Sequence, residues 1–138
     1  MSRVPEAIRQ AVRQRAQGRC EYCLIPEAEL LFRHEADHIL AAQHGGAPVL
    51  ENLALACADC NRYKGPNLSS ADSETGDIVP LFHPRRDRWD EHFVLHGPRI
   101  VGRTPTGRAT VFLLRLNDED RVLARRALQR AARYPQPA

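Results

Sequence analysis

The four cysteines of this 138-residue chain fall as two C-x2-C pairs, Cys20/Cys23 and Cys57/Cys60, with thirty-three residues between them. Two such pairs let four thiolates converge tetrahedrally on one zinc ion, whereas disulfides are unusual in a reducing cytosol. Any fold must therefore return residue 60 to residue 20 with a substantial element in the gap, which is longer than a zinc-ribbon loop. A redox pair, or unpaired buried thiols, is the competing reading of the same residues. The length suits one domain with a modest core, so a bound metal would matter to stability.

The formal charge of +3 and pI near 8.9 permit a polyanionic partner without demanding one. No apolar run approaches a membrane span, and the arginine-bearing start has no apolar block behind it. A soluble, cytoplasmic protein is expected, with no membrane partner.

Hydrophobic spacing gives the elements. Ile8, Ala11, Val12 and Ala16 recur at helical period between Pro5 and Gln17, with Gly18 as a stop. The arginines of that helix are either a solvated face or a phosphate contact. "LLFRHEADHIL" reads as a strand that places Asp37 and His38 near its end, and "HGGAP" as a loop. "VLENLALACADC" returns to the second cysteine pair, and "DCNRYKG" is a short helix stopped by Gly65-Pro66. Beyond it, "NLSSADSETGDIVP" reads as a polar surface excursion and "FVLHGPRIVG" as a hairpin. Thr104-Pro105 opens one helix, and Asn117 would cap a last helix through Tyr134. In that helix the arc of Leu123, Ala124, Ala127, Leu128, Ala131 and Tyr134 is expected inside, and Arg121, Arg125, Arg126 and Arg133 outside. The fold class is α+β.

The chemistry lies between and beside the cysteines. Asp37 offers a hard cation an oxygen ligand, His38 can take a proton near neutral pH, and Asn61 adds a neutral oxygen. Arg62 and Lys64, the only lysine among the 20 Lys and Arg residues, bring positive charge to the same place. An acid, a base, an amide and cations suit phosphodiester hydrolysis, in which charge builds on phosphate and leaving oxygens. Strict strand alternation would put Asp37 and His38 on opposite faces, so the strand must twist, bulge or end there.

The ordered set "C-x2-C … ADHIL … GG … ENL … C-x2-CNRYK" over residues 20–67 resembles the four-cysteine, zinc-containing branch of the HNH endonucleases. "PLFHPRRDRW" and "TPTGRATVFLLRLN" resemble the C-terminal arm of small bacterial HNH proteins. The resemblance implies a ββα-metal (HNH, His-Me finger) core at 20–67, preceded by a helix at 1–19 and followed by a hairpin-plus-helices arm at 68–138, all one domain. It implies His38 as general base, Asp37 and Asn61 as ligands of catalytic Mg2+ or Mn2+, and Asn52 as the residue that holds the loop and orients the histidine. Cys20, Cys23, Cys57 and Cys60 would hold structural zinc, Arg62 and Lys64 would contact substrate, and the partner would be DNA.

Two other functions remain open to a chain of this kind: a zinc-stabilised nucleic-acid-binding module without turnover, and a stapled scaffold for a protein partner. Blander roles stand beside the catalytic ones. Asn61 can pack its helix, and Lys64 can be a solvated helix charge. His34 and His44 are expected at the surface or in loops, and His83, His92 and His96 in packing or solvent. "HPRRDRW" is either a phosphate-binding arm with Trp89 beside it or a turn in which Arg85, Arg86 and Arg88 pair with Asp87 and Asp90.

Overall fold

The computed structural model describes residues 3–135. Helix α1 (Glu6–Ala16) begins after Pro5 and ends with Gln17 and Gly18 in left-handed backbone, φ 56° and 71°. Strands β1 (Glu35–His38) and β2 (Leu53–Ala56) pair antiparallel, from Glu35 opposite Ala56 to His38 opposite Leu53, and α2 (Ala58–Lys64) follows directly. The arm holds the hairpins β3 (Ser69–Ala71)/β4 (Ile78–Pro80) and β5 (Phe93–His96)/β6 (Arg99–Gly102), with the short α3 (Trp89–His92) between them. Helices α4 (Pro105–Leu113) and α5 (Glu119–Arg130) complete it, an α+β arrangement with three two-stranded antiparallel sheets.

β2 organises the interior because all four of its residues are buried. Leu53 and Leu55 pack with Val12 and Ala16 of α1, while Ala54 and Ala56 face a second cluster with the cysteines, Phe82, Phe93, Ile100 and Leu116. Large side chains thus fill the α1 side, and two alanines leave room for the cysteine cluster on the other. Arg13 and Arg15 staple α1 in place: Arg13 binds Glu27 and the His34 carbonyl, and Arg15 donates to the Leu50 and Leu53 carbonyls. Those two arginines are structural.

Several expectations are corrected. The first strand is only four residues long, with Leu31 97% and Phe32 76% exposed ahead of it. His34 is buried, its Nε2 on the Ile25 carbonyl. The "surface excursion" is the β3/β4 hairpin, clamped by buried Asp72, which Arg108 of α4 holds at 2.8 and 2.9 Å. Trp89 donates its indole N–H to the Tyr22 carbonyl and packs on Phe93, half-buried against the core. Arg85 pairs with Glu21 and Arg88 with Glu91, while Asp87 accepts from the His83 amide. Asn117 does not cap α5. Its amide bonds both the N–H and the carbonyl of Ile100, mimicking a strand beside β6, and Asp118 precedes the helix instead.

The last helix meets the expectation only in part: Leu128 packs on the core, Tyr134 is buried and Arg126 and Arg133 are exposed, but two arginines turn inward. Arg121, Val122 and Arg125 are its buried residues, and Leu123 is 51% exposed. The reason is polar: Arg125 donates to the Pro98 and Leu116 carbonyls, and Arg121 to the Leu114 and Arg115 carbonyls and to sulfur. Buried acceptors left without donors would cost more than exposing a leucine. Thr104 caps α4 as expected, accepting from the Gly107 amide.

α4 can approach β6 and α3 only through glycine. A Cβ on Gly107 would collide with the His92 carbonyl oxygen, which is backbone and cannot swing away. Gly107→Ala should therefore destabilise the protein by about 1–3 kcal/mol, as overpacking does. Gly76→Ala, strained by its φ of 77° but with nothing within 4 Å, should carry only the left-handed backbone cost of about 1–2 kcal/mol, both variants being compared by urea titration.

Candidate metal centre and catalytic recess

The cysteine sulfurs all lie within 4.8 Å of one another, and Cys23 and Cys57 are 3.7 Å apart. Zinc–sulfur bonds of about 2.3 Å in a tetrahedron place sulfurs about 3.8 Å apart, so the set fits one zinc ion. Each pair forms a knuckle in which the second cysteine's amide donates to the first's sulfur, Cys23 to Cys20 at 3.5 Å and Cys60 to Cys57 at 3.4 Å. Burial pushes the Cys20 and Cys60 thiols up, while hydrogen bonds from the other cysteines pull Cys23 down. A cation at their centre would favour all four thiolates.

The arm contributes a second cation. Arg121 places Nη2 3.0 Å from Cys60 Sγ and 3.8 Å from Cys57 Sγ. Burial works against its charge, but Cys60, Cys23 and Cys57 outweigh that and raise its pKa. Four thiolates on a divalent ion leave two negative charges, and the guanidinium offsets one.

Cys57 is also the N-cap of α2, and this fixes the next residues. Cys60 and Lys64 turn inward, and Asn61 reaches a shallow recess of about 320 Å³ whose walls include Asp37, His38, Ala42 and Gly65. Asp37 and His38 share that recess because β1 ends at His38 and the chain turns there, which resolves the alternation problem. Asp37 Oδ2 and His38 Nε2 are buried without a hydrogen-bond partner, although burying a polar atom unpaired is costly.

Burial raises Asp37 to about 6, opposed by the charge of Lys64. The same two causes, burial first, lower His38. At neutral pH the pair is a carboxylate beside a neutral imidazole. Those are the states of a metal ligand and a proton acceptor.

Asn52 stands outside the recess. Its amide accepts from Leu40 N and donates to the Leu40 and Ala47 carbonyls, while its own carbonyl receives Ile39 N. Gly46 makes the approach feasible, since a Cβ there would strike the Leu40 carbonyl and stand 2.7 Å from Asn52 Nδ2. Asn52 thereby ties down the loop that leaves His38.

Arg62 and Lys64 part company. Arg62 is exposed, near Asp59 at 3.4 Å, whereas Lys64 is 2% exposed with Nζ on the Ile39 carbonyl. Lys64 is a buried cross-brace between α2 and the end of β1, and the expected surface phosphate contact does not describe it. Sequence reasoning put Arg121 on the outer face of its helix and missed its place beside the sulfurs. Its one available signal was the spacing of Arg121 and Arg125, which puts both on one helix face.

The family model described as HNH endonuclease matches residues 20–67, from the first cysteine to just past α2. Residues 20–67 are thus similar to the HNH endonuclease family. No curated protein and no solved structure matches the chain. The HNH match encloses all four cysteines, Asp37, His38, Asn52 and Asn61, and the family's chemistry points to nuclease activity on nucleic acid. Among the described residues no helix is long and apolar enough to cross a membrane.

Two outcomes follow for the segment 20–67. Cys57→Ser removes a thiolate and the sulfur cap of α2, so the variant should lose zinc and fold poorly. Binding of structural zinc is worth roughly 10 kcal/mol or more of folding energy, and a folded, zinc-loaded variant by metal analysis and circular dichroism would refute the centre. Asp37→Asn tests the recess. A carboxyl at about 6 folded, against 3.8 unfolded, contributes stability below 3.8 that is lost as pH rises through 6. Compared only where the four thiolates still hold zinc and without other divalent ions, the variant should show an advantage over the parent that grows as pH rises from about 5 to about 7. Above pH 6.5 it should be more stable, by up to about 3 kcal/mol at 1.36 kcal/mol per tenfold change in proton affinity.

Proposed function

We propose that this protein is a metal-dependent endonuclease hydrolysing DNA phosphodiester bonds, with β1, β2 and α2 as a ββα-metal core clasped by zinc. The observation that carries this reading is the pair of unsatisfied buried atoms, Asp37 Oδ2 and His38 Nε2, in one recess with Asn61. Binding alone requires no such orphaned acid and base.

Asp37 and Asn61 offer a hard, incomplete oxygen set of the kind Mg2+ or Mn2+ accepts. Held there, such an ion would supply electrophilic stabilisation to a phosphodiester under attack. His38, neutral at pH 7, accepts the proton of the attacking water, and the cut leaves a 5′ phosphate. Asn52 keeps the loop after His38 from swinging the imidazole away. Lys64 acts from inside the fold: its charge favours ionised Asp37 and neutral His38, the reactive form of each.

The test separates base from ligand. His38→Ala should retain fold, zinc and DNA binding while cleavage of plasmid or branched DNA falls at least about a hundredfold, the lower end for general-base catalysis. Asn61→Ala should also stop cleavage, but raised manganese should recover part of that loss and none of the His38 loss. Near-parental cutting by folded His38→Ala would end this mechanism, and equal manganese rescue of both variants would end the division of roles. A parent protein that binds DNA without cutting it under any divalent ion would be the binding module instead.

A further inference from the structure

Two guanidiniums converge on one ring at the outer side of α2. Arg62 Cζ lies 4.8 Å and Arg115 Cζ 4.7 Å from the centroid of Tyr63. Two cations within 5 Å of one ring centre make the potential around that ring positive, which favours an anion upon them. Arg62 is partly taken up by Asp59 at 3.4 Å. The Arg115 side chain makes no hydrogen bond or ion pair among the described residues, and its guanidinium rests on the Tyr63 ring.

Arg115 also occupies an unusual place. It follows α4 with a φ of 51°, the left-handed position where glycine is the default. An arginine there carries a backbone cost that glycine would avoid. One turn earlier, Phe112 is 70% exposed, and with Tyr63 and Arg115 it lines an open groove of about 610 Å³ between α2 and the end of α4. Asp118 is the one carboxylate among the groove's described lining residues.

The exposed Phe112 ring in one groove with the unpaired guanidinium of Arg115 is the kind of surface that unstacked nucleobases and their phosphates recognise. The groove is also close to the chemistry. α2 presents Asn61 to the catalytic recess and Tyr63, two residues on, to the groove, and a helix with its side chains is about 10–12 Å across. A single strand crosses that distance in a few nucleotides. Intact duplex buries its base faces in the stack and cannot offer them to Phe112.

We infer that the groove of Tyr63, Phe112 and Arg115 is a binding site for an unpaired nucleotide of the strand that enters the recess. The base stacks on Phe112, and Arg115 with Arg62 meets the phosphate. The substrate class is then DNA with single-stranded character, such as a flap, branch or unpaired end, in preference to uninterrupted duplex. This site rests on the nuclease reading for its place beside a scissile bond.

The experiment measures binding without turnover. In the His38→Ala background, with zinc retained and no other divalent ion, fluorescence anisotropy compares a 20-base-pair duplex with the same duplex bearing a short single-stranded flap. Adding Phe112→Ala should weaken flap binding by about 10- to 100-fold, the effect of losing one stacked base, and leave duplex binding within about twofold. Phe112→Trp should preserve the preference for the flap. Arg115→Gly, which relieves the backbone, should flatten the salt dependence of flap binding by about 0.7 log units for one single-strand phosphate. Equal loss on duplex and flap would overturn the site in favour of a general backbone contact. No loss on either would also overturn it and turn attention to an acidic protein partner. Because no cleavage is read, failure of the catalytic proposal leaves these outcomes separately visible.

Discussion

Four buried sulfurs within 4.8 Å of one another are the constraint on which the other elements depend. As thiolates they repel, and as thiols they fill the middle of the molecule with weak donors that satisfy little. A divalent cation turns the cluster into a cross-link between the start of the core and α2. Arg121 extends that link to α5, so the charge of the centre is shared between two regions far apart in sequence. The energetic logic resembles a buried ion pair more than a hydrophobic core: removing one partner leaves the other stranded.

The same cluster disciplines the recess. Cys57 caps α2, Cys60 is its inward residue, Asn61 follows at once, and Lys64 closes the helix by bonding the Ile39 carbonyl. A single short helix and its cap therefore bring together two of the four sulfurs, the Asn61 amide in the recess and the buried cation that biases Asp37 and His38. The helix of seven residues is too short to hold such a position by its own hydrogen bonds. It is fixed by sulfur at its beginning and by the ammonium at its end. The opposite wall is held by Asn52, which binds both backbone groups of Leu40.

What could be read from the sequence was whatever depends on local chemistry. The cysteine spacing, the cap at Thr104-Pro105, the hairpin around His96-Gly97-Pro98 and the bracing asparagine each announce themselves within a few residues. The rest depends on partners distant in sequence. Arg121 and Arg125 look like a solvated stripe until the sulfurs and the carbonyls around Leu114 and Leu116 come to meet them. Lys64 looks like a surface charge until β1 passes beneath it. The β3/β4 hairpin is polar in composition, and only Arg108, thirty-six residues on, makes its Asp72 an interior residue. β1 is shorter than its apolar run because Leu31 and Phe32 find no surface to cover.

The contacts of Arg121, Trp89 and Tyr134 bear on what counts as the unit of inheritance here. The family-matching segment ends at residue 67, yet its cysteine centre draws a guanidinium from α5. The carbonyls of Tyr22 and Cys23 are answered by Trp89 and Tyr134. Residues 20–67 are therefore not a portable cassette that could be cut out or grafted into another chain with its properties intact. The surroundings of the four sulfurs, and with them the posture of α2, are shared with the arm. Sequence drift in α5 would be felt at the far end of the molecule as a change in how tightly metal is kept.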